Sequence, residues 1–494
     1  MKRILSYLCC VVILLVSVVV VGCNGCNGCS GCNGCGKDSD RSKYNITCSF
    51  DGNLLTATQD FSFYNQYENS FSSLKFNLFP NAYREGAKHS PVLAQHLSLS
   101  YPNGINYGNI EISSVTQEEK ALEYKICGED QNVLEVFLLE EVFPEEYTSI
   151  TIDFKVIIPN VVSRLGINEK AINLANFYPI LCGYDNGFYE CVYYGIGDPF
   201  YSECADYSVS ITTDKDLVVA GGGEKVSSKE SNGKKTTTFS LSNARSFACV
   251  LSKNFKTVSE KVNETNVTYY YYQDENPKDN LKHAVNALNL FNEKFGEYPY
   301  STYSVVQTRF VQGGMEFPTI TLISDSVEGT AYGEVIVHET AHQWWQTVVG
   351  NNEVEYGFLD EGLAEYSVVL YFENYSKYGL TRKSLMESAE KTYKVFFSVV
   401  DRLDGKVNTT MIRSLKDFSS EYEYVNIAYI KTCIMYDTLR KTIGDERFFK
   451  GLKRYYEEYS FKNATPYDIV GVYEKIGADT NGLFESFYNG KVIL

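Results

Sequence analysis

Histidine and tryptophan are scarce in this chain. Its 494 residues include five histidines and two tryptophans. After Cys35 only seven cysteines follow, and none form paired CxxC clusters. That excludes a zinc-finger array and a small disulfide scaffold. Basic residues are also in deficit, with 45 Lys and Arg against 62 Asp and Glu, a formal charge of −17. A surface this acidic repels a phosphate backbone and argues against nucleic acid as a partner. Apolar residues make up 44% and charged residues 22%, the balance of packed globular cores. At roughly 150 residues per domain the length suggests about three domains, or two larger ones.

The cysteines that are present lie mostly at the start. Lys2 and Arg3 precede an apolar run from Ile4 to Val21, which ends at Gly22 and Cys23. This has the form of a signal peptide, residues 1–22, with an uncleaved signal anchor as the alternative. The stretch Val20-Val21-Gly22-Cys23 resembles a bacterial lipobox, which implies a lipid on Cys23. Either way the rest of the chain is expected outside the cytoplasm, held at the cell membrane through its N-terminus. Residues 23–43 are a Cys/Gly/Asn-rich tether with nothing apolar to bury. Cys26, Cys29, Cys32 and Cys35 could be a thiol or metal cluster. Only Cys23 follows an apolar run, which favours a plain tether for the others.

From residue 44 to 257 the chain alternates with period 2, as in Ser149–Val156 and Tyr207–Thr212. Such runs predict an all-β domain, saddle- or sandwich-like. Residues 258–494 form a second domain, α+β and mostly helical. Strands are expected at Tyr269–Tyr272 and Val305–Phe310. A helix over Asp279–Phe295 is followed by helices near 332–349, 360–378, 383–399, 425–442, 445–458 and 466–476. Six of the later cysteines lie in the β half and Cys433 in the helical half. The even number permits disulfides, but their pairing is not legible.

The window His338-Glu339-Thr340-Ala341-His342 holds two of the five histidines at i and i+4. On a helix both imidazoles share one face and can reach one metal ion. Catalytic zinc takes three protein ligands and keeps one position open. Glu361, which follows His342 after eighteen intervening residues, is the expected third ligand. Glu365, one turn on, is placed to accept the free N–H of a metal-binding histidine, His338 for preference. Glu339 lies between the ligands and suits a general base that takes a proton from zinc-activated water.

The HETAHQWW segment and the later LDEGLAEY resemble the aminopeptidase N and leukotriene hydrolase group of gluzincin metallopeptidases. Gly313-Gly314-Met315-Glu316-Phe317 resembles the GxMEN motif of that group, and Tyr429-Ile430-Lys431 its Tyr-x-Lys signature. Asn176-Phe177-Tyr178-Pro179 and Gly197-Asp198-Pro199-Phe200-Tyr201 extend the resemblance into the β half. It implies a thermolysin-like catalytic domain with one zinc ion on His338, His342 and Glu361. It also implies an α-amine anchor at Glu316, substrate backbone against Gly313, Gly314 and Met315, and an oxyanion donor at Tyr429. Tyr422, Tyr424 and Tyr436 compete for the last role. Phe317 departs from the motif's Asn and cannot hydrogen-bond a peptide backbone. Only 65 residues follow Tyr429, so a large helical domain such as many relatives carry does not fit in this sequence.

The resulting expectation is a zinc aminopeptidase acting on peptides. The alternatives are an endopeptidase with the same site and a non-catalytic surface-binding lipoprotein. Epoxide hydrolysis has no sequence feature in its favour. Oligomeric state and side-chain preference are not legible.

Overall fold

In a computed structural model, residues 40–480 and 482–491 are described. The signal sequence, Cys23 and most of the tether lie outside these residues. Within them, no helix is long and apolar enough to cross a membrane.

Alternating burial builds the first half. Lys43–Asp51 alternates exposed and buried residues along its whole length, so one face enters the core. It pairs antiparallel with Leu54–Tyr64 and parallel with Ala205–Asp214, at the centre of an eight-stranded sheet. Two four-stranded sheets complete this half, one around Ala248–Ser252 and Ile172–Ala175, the other around Phe71–Asn77 and Val133–Val142. Their facing side chains form a core that includes Phe61, Phe76, Phe154 and Tyr178.

A five-stranded sheet opens the second half: Lys256–Val262, Thr265–Tyr271, Thr302–Thr308, Ile320–Ser324 and Gly314–Met315, in that order. Helix Pro277–Lys294 crosses between its second and third strands, which are parallel. Helices Thr330–Ala341 and Phe358–Asn374 then bury their length against a core holding Trp344, Trp345, Tyr371 and Tyr436. From Asp40 onward the chain is one compact unit. A third apolar cluster, with Ala220, Ala248 and Val250 against Val306, Phe317 and Leu322, joins the two halves.

Two expectations are corrected. The helix expected to 349 ends at Ala341; turns follow at 342–344, and the backbone at Gln346 takes a φ of 135°. Val349–Asn351 then pairs with Lys462–Ala464. The helix expected over 425–442 divides into a π-helix, Val425–Lys431, and an α-helix, Thr432–Ile443. The seven described cysteines are free thiols, all buried except Cys127, so the even count in the β half produces no bridge.

Candidate metal centre and active site

His338 stands near the end of helix Thr330–Ala341, and His342 is its C-cap. Glu361 sits in the first turn of helix Phe358–Asn374. The packing of these two helices brings His338 Nε2 to 3.2 Å from Glu361 Oε2. His342 Nε2 lies 3.3 Å from the same oxygen and 3.1 Å from His338 Nε2. Ligands about 2.0–2.2 Å from a tetrahedral zinc ion are separated by about 3.3 Å, so this set fits zinc. The outer nitrogens support the same orientation. His338 Nδ1 lies 3.3 Å from Glu365 Oε2, and His342 Nδ1 lies 2.9 Å from the Trp345 carbonyl oxygen. With those partners holding the rings, both Nε2 atoms face one point.

The field at that point favours positive charge. Burial alone would lower the pKa of His338, but hydrogen bonds with Glu361 and Glu365 outweigh it and raise it to about 10. Burial would raise Glu361, but its hydrogen bonds with His338 and His342 bring it down to about 2. Burial lifts Glu339 to about 7, with Glu361 and Asp198 adding and the two histidines opposing. Burial, followed by Asp198, holds the Glu316 carboxyl well above the usual range.

These groups line one cleft of about 340 Å³. Glu316, Glu339 and His342 each bring a ligand atom to within 4.8 Å of the others. Gly313 and Gly314 form part of the wall, and a Cβ on Gly314 would collide with the Glu339 carboxylate. Met315 is a correction: its side chain leaves the cleft and accepts a hydrogen bond from Arg164 Nε at 3.0 Å. Strand alternation explains this. Gly314 and Glu316 face the cleft, whereas Met315 and Phe317 face the apolar cluster between the halves. The Phe at position 317 therefore does not alter the cleft wall.

Tyr429 stands in the π-helix, donates its O–H to Glu361 Oε1 at 2.5 Å and stacks over His338. Tyr424 also lines the cleft, Tyr436 is fully buried in the core, and Tyr422 is exposed. A single-residue widening of a helix recurs at functional sites because it re-aims one side chain.

Two cleft residues lacked an assigned role in the sequence. Asp198 and Arg164 form an ion pair, each about a tenth exposed, and both line the wall beside Glu316. The signal was present in Gly197-Asp198-Pro199, but nothing local links it to residue 316.

Comparison with known proteins agrees with this geometry. Residues 280–487 match a family model described as the peptidase family M1 domain. Aminopeptidase M1-D of rice (Oryza sativa subsp. japonica) is 25% identical over 211 residues, 40% of this chain and 23% of that protein. Leucine aminopeptidase 2-1 of Meyerozyma guilliermondii is 23% identical over 206 residues, 38% of this chain and 31% of that protein. The chain thus spans about a quarter to a third of the length of these relatives. The M1 zinc metallopeptidase of Deinococcus radiodurans has the same fold, with a TM-score of 0.66 at 15% identity over 92% of this chain and 95% of that one. A mutant of it bound to a Tyr-Ser-Ala substrate gives 0.63 at 16% identity, with the same coverage. The match to the peptidase family M1 domain covers residues 280–487, and the GGMEF, HETAH, Glu361 and Tyr429 motifs all lie within it.

Proposed function

We propose that this chain is a zinc aminopeptidase that removes N-terminal residues from peptides. The observation that carries the reading is the meeting of Glu316 with Glu339 and His342 at the wall of one cleft. Glu316 is the anchor for the substrate's α-ammonium. An ammonium held there leaves only the first peptide bond within reach of Glu339. Zinc on His338, His342 and Glu361 supplies Lewis-acid polarisation and acidifies water. Glu339 accepts the proton of the attacking water and returns it to the leaving amine. Tyr429, once its O–H turns from Glu361, donates to the developing oxyanion. Glu365 keeps the His338 ring in place.

Glu339→Gln is expected to keep its zinc and lose about 10²- to 10⁴-fold in kcat. Turnover at the wild-type rate would remove Glu339 from the mechanism. A free-amine peptide is expected to be cleaved and its N-acetylated twin spared. Equal cleavage of the two would point to the endopeptidase alternative.

For location, the lipobox-like segment supports a lipid on Cys23 and attachment to the outer face of a cell membrane. Cys23→Ala is expected to abolish fatty-acid labelling.

A further inference from the structure

Glu316 belongs to a second group of acids. Glu316, Glu353 and Asp360 each bring one carboxylate oxygen to within 4.8 Å of the other two. Their exposures are 4%, 3% and 3%. Glu316 Oε1 and Glu353 Oε2 are buried with no hydrogen-bond partner. Glu353, but not Glu316 or Asp360, also lines a small cavity separate from the cleft, together with Arg245, Gln346, Asn351, Met315 and Phe317. Its volume of about 20 Å³ admits roughly one water-sized particle.

Buried carboxylates are expected to be paired, because an uncompensated charge in a protein interior is costly. The nearby basic side chains have other partners. Arg164 donates to Asp198 and Met315. Arg245 donates to the carbonyls of Ser202, Gln346 and Lys462 and to Asn463 Oδ1. His342 Nδ1 faces the Trp345 carbonyl and reaches Asp360 only at 3.9 Å. Among the described residues, neither Glu316 nor Glu353 forms an ion pair with a basic side chain.

We propose that Glu316, Glu353 and Asp360 hold a second cation behind the zinc site, a hard divalent ion of the calcium type. Calcium takes oxygen ligands at about 2.3–2.6 Å, so oxygens on opposite sides of one ion stand about 5 Å apart. Oxygens that all lie within 4.8 Å of one another are in the proximity that sharing one such ion requires. The set contains no nitrogen or sulfur ligand, which separates it in chemistry from the His-His-Glu zinc set. The cation would fix the Glu316 carboxylate from behind, independently of what Glu316 binds in the cleft.

The test uses the full chain, stripped of metal, reloaded with zinc alone and then titrated with calcium. Metal analysis is expected to give one calcium per chain besides zinc, and Tm is expected to rise with calcium. Terbium is expected to occupy the same site, with luminescence that calcium quenches. Glu353→Gln is expected to lose all three signals while keeping its zinc. If that variant does not fold, Glu353→Asp keeps the charge and is expected to weaken calcium binding at least tenfold. Wild-type protein that retains no calcium and shows no Tm shift would overturn the proposal, and a shared proton would then satisfy the cluster. Undiminished calcium binding by Glu353→Gln or Glu353→Asp would overturn it equally. Zinc content and peptide hydrolysis are read separately on the same samples, so failure of the aminopeptidase reading is distinguishable from failure of this one.

Discussion

Gly314 shows how one missing Cβ shapes the chemistry. Its backbone lies so close to Glu339 that any side chain would displace the carboxylate. Gly314→Ala is therefore expected to lower kcat sharply while zinc stays bound, measured by peptide turnover and metal analysis. Unchanged turnover would mean that the strand can retreat from Glu339. Tyr429 makes a different kind of contribution. Its side chain is positioned by the π-helix, and its O–H is held by Glu361 at 2.5 Å. Tyr429→Phe keeps the ring over His338 and removes only the donor. It is expected to cost about 3 kcal/mol of barrier, roughly 10²–10³ in kcat, with little change in KM. His338, Glu339, His342 and Glu361 were legible in the sequence because helix periodicity and ligand spacing link them. The outward turn of Met315 was not, since a motif does not state which face of a strand it occupies.

At the scale of elements, His283 joins three helices. It stands on Pro277–Lys294 and its Nδ1 lies 3.0 Å from the Tyr371 hydroxyl of Phe358–Asn374. It also packs against Gly333 of Thr330–Ala341, where a Cβ would strike the imidazole ring. Burial lowers its pKa from 6.5 to about 4. The unfolded chain then binds more protons than the native one between pH 4 and 6.5. Stability is expected to fall as pH drops through that window and to be unaffected by this group above it. The limit is about 3 kcal/mol. Comparison of Tm at pH 7 and pH 4.5 checks this: His283→Phe should lose less stability on acidification than wild type. An identical loss would place the acid sensitivity elsewhere. The helix itself was visible in its apolar stripe. The role of His283 was not, because its partners lie 50 and 88 positions away in the sequence.

For the whole molecule, the two halves depend on each other through Arg245. It leaves the β half and donates to Gln346 and Lys462 carbonyls and to Asn463 in the second half. Gly350 makes room for it, since a Cβ there would collide with the guanidinium. Arg245→Ala strands several buried carbonyls and is expected to cost about 3–5 kcal/mol. Chemical denaturation measures this, and a change under 1 kcal/mol would show that the remaining contacts between the halves hold them together without Arg245.

The sequence by itself determined the strands of the first half, most of the helices and the metal-binding set. Each of these follows from a repeat of 2 or 3.6 residues, or from spacing along one helix and the next. Tertiary structure alone decided that Tyr424 and Tyr429, and not Tyr422 or Tyr436, line the cleft, where the HExxH helix stops and that Asp198 and Arg164 stand beside Glu316. It also decided that Glu316, Glu353 and Asp360 share a buried site. Those outcomes arise where two elements distant in sequence compete for the same space, and no local pattern encodes that competition.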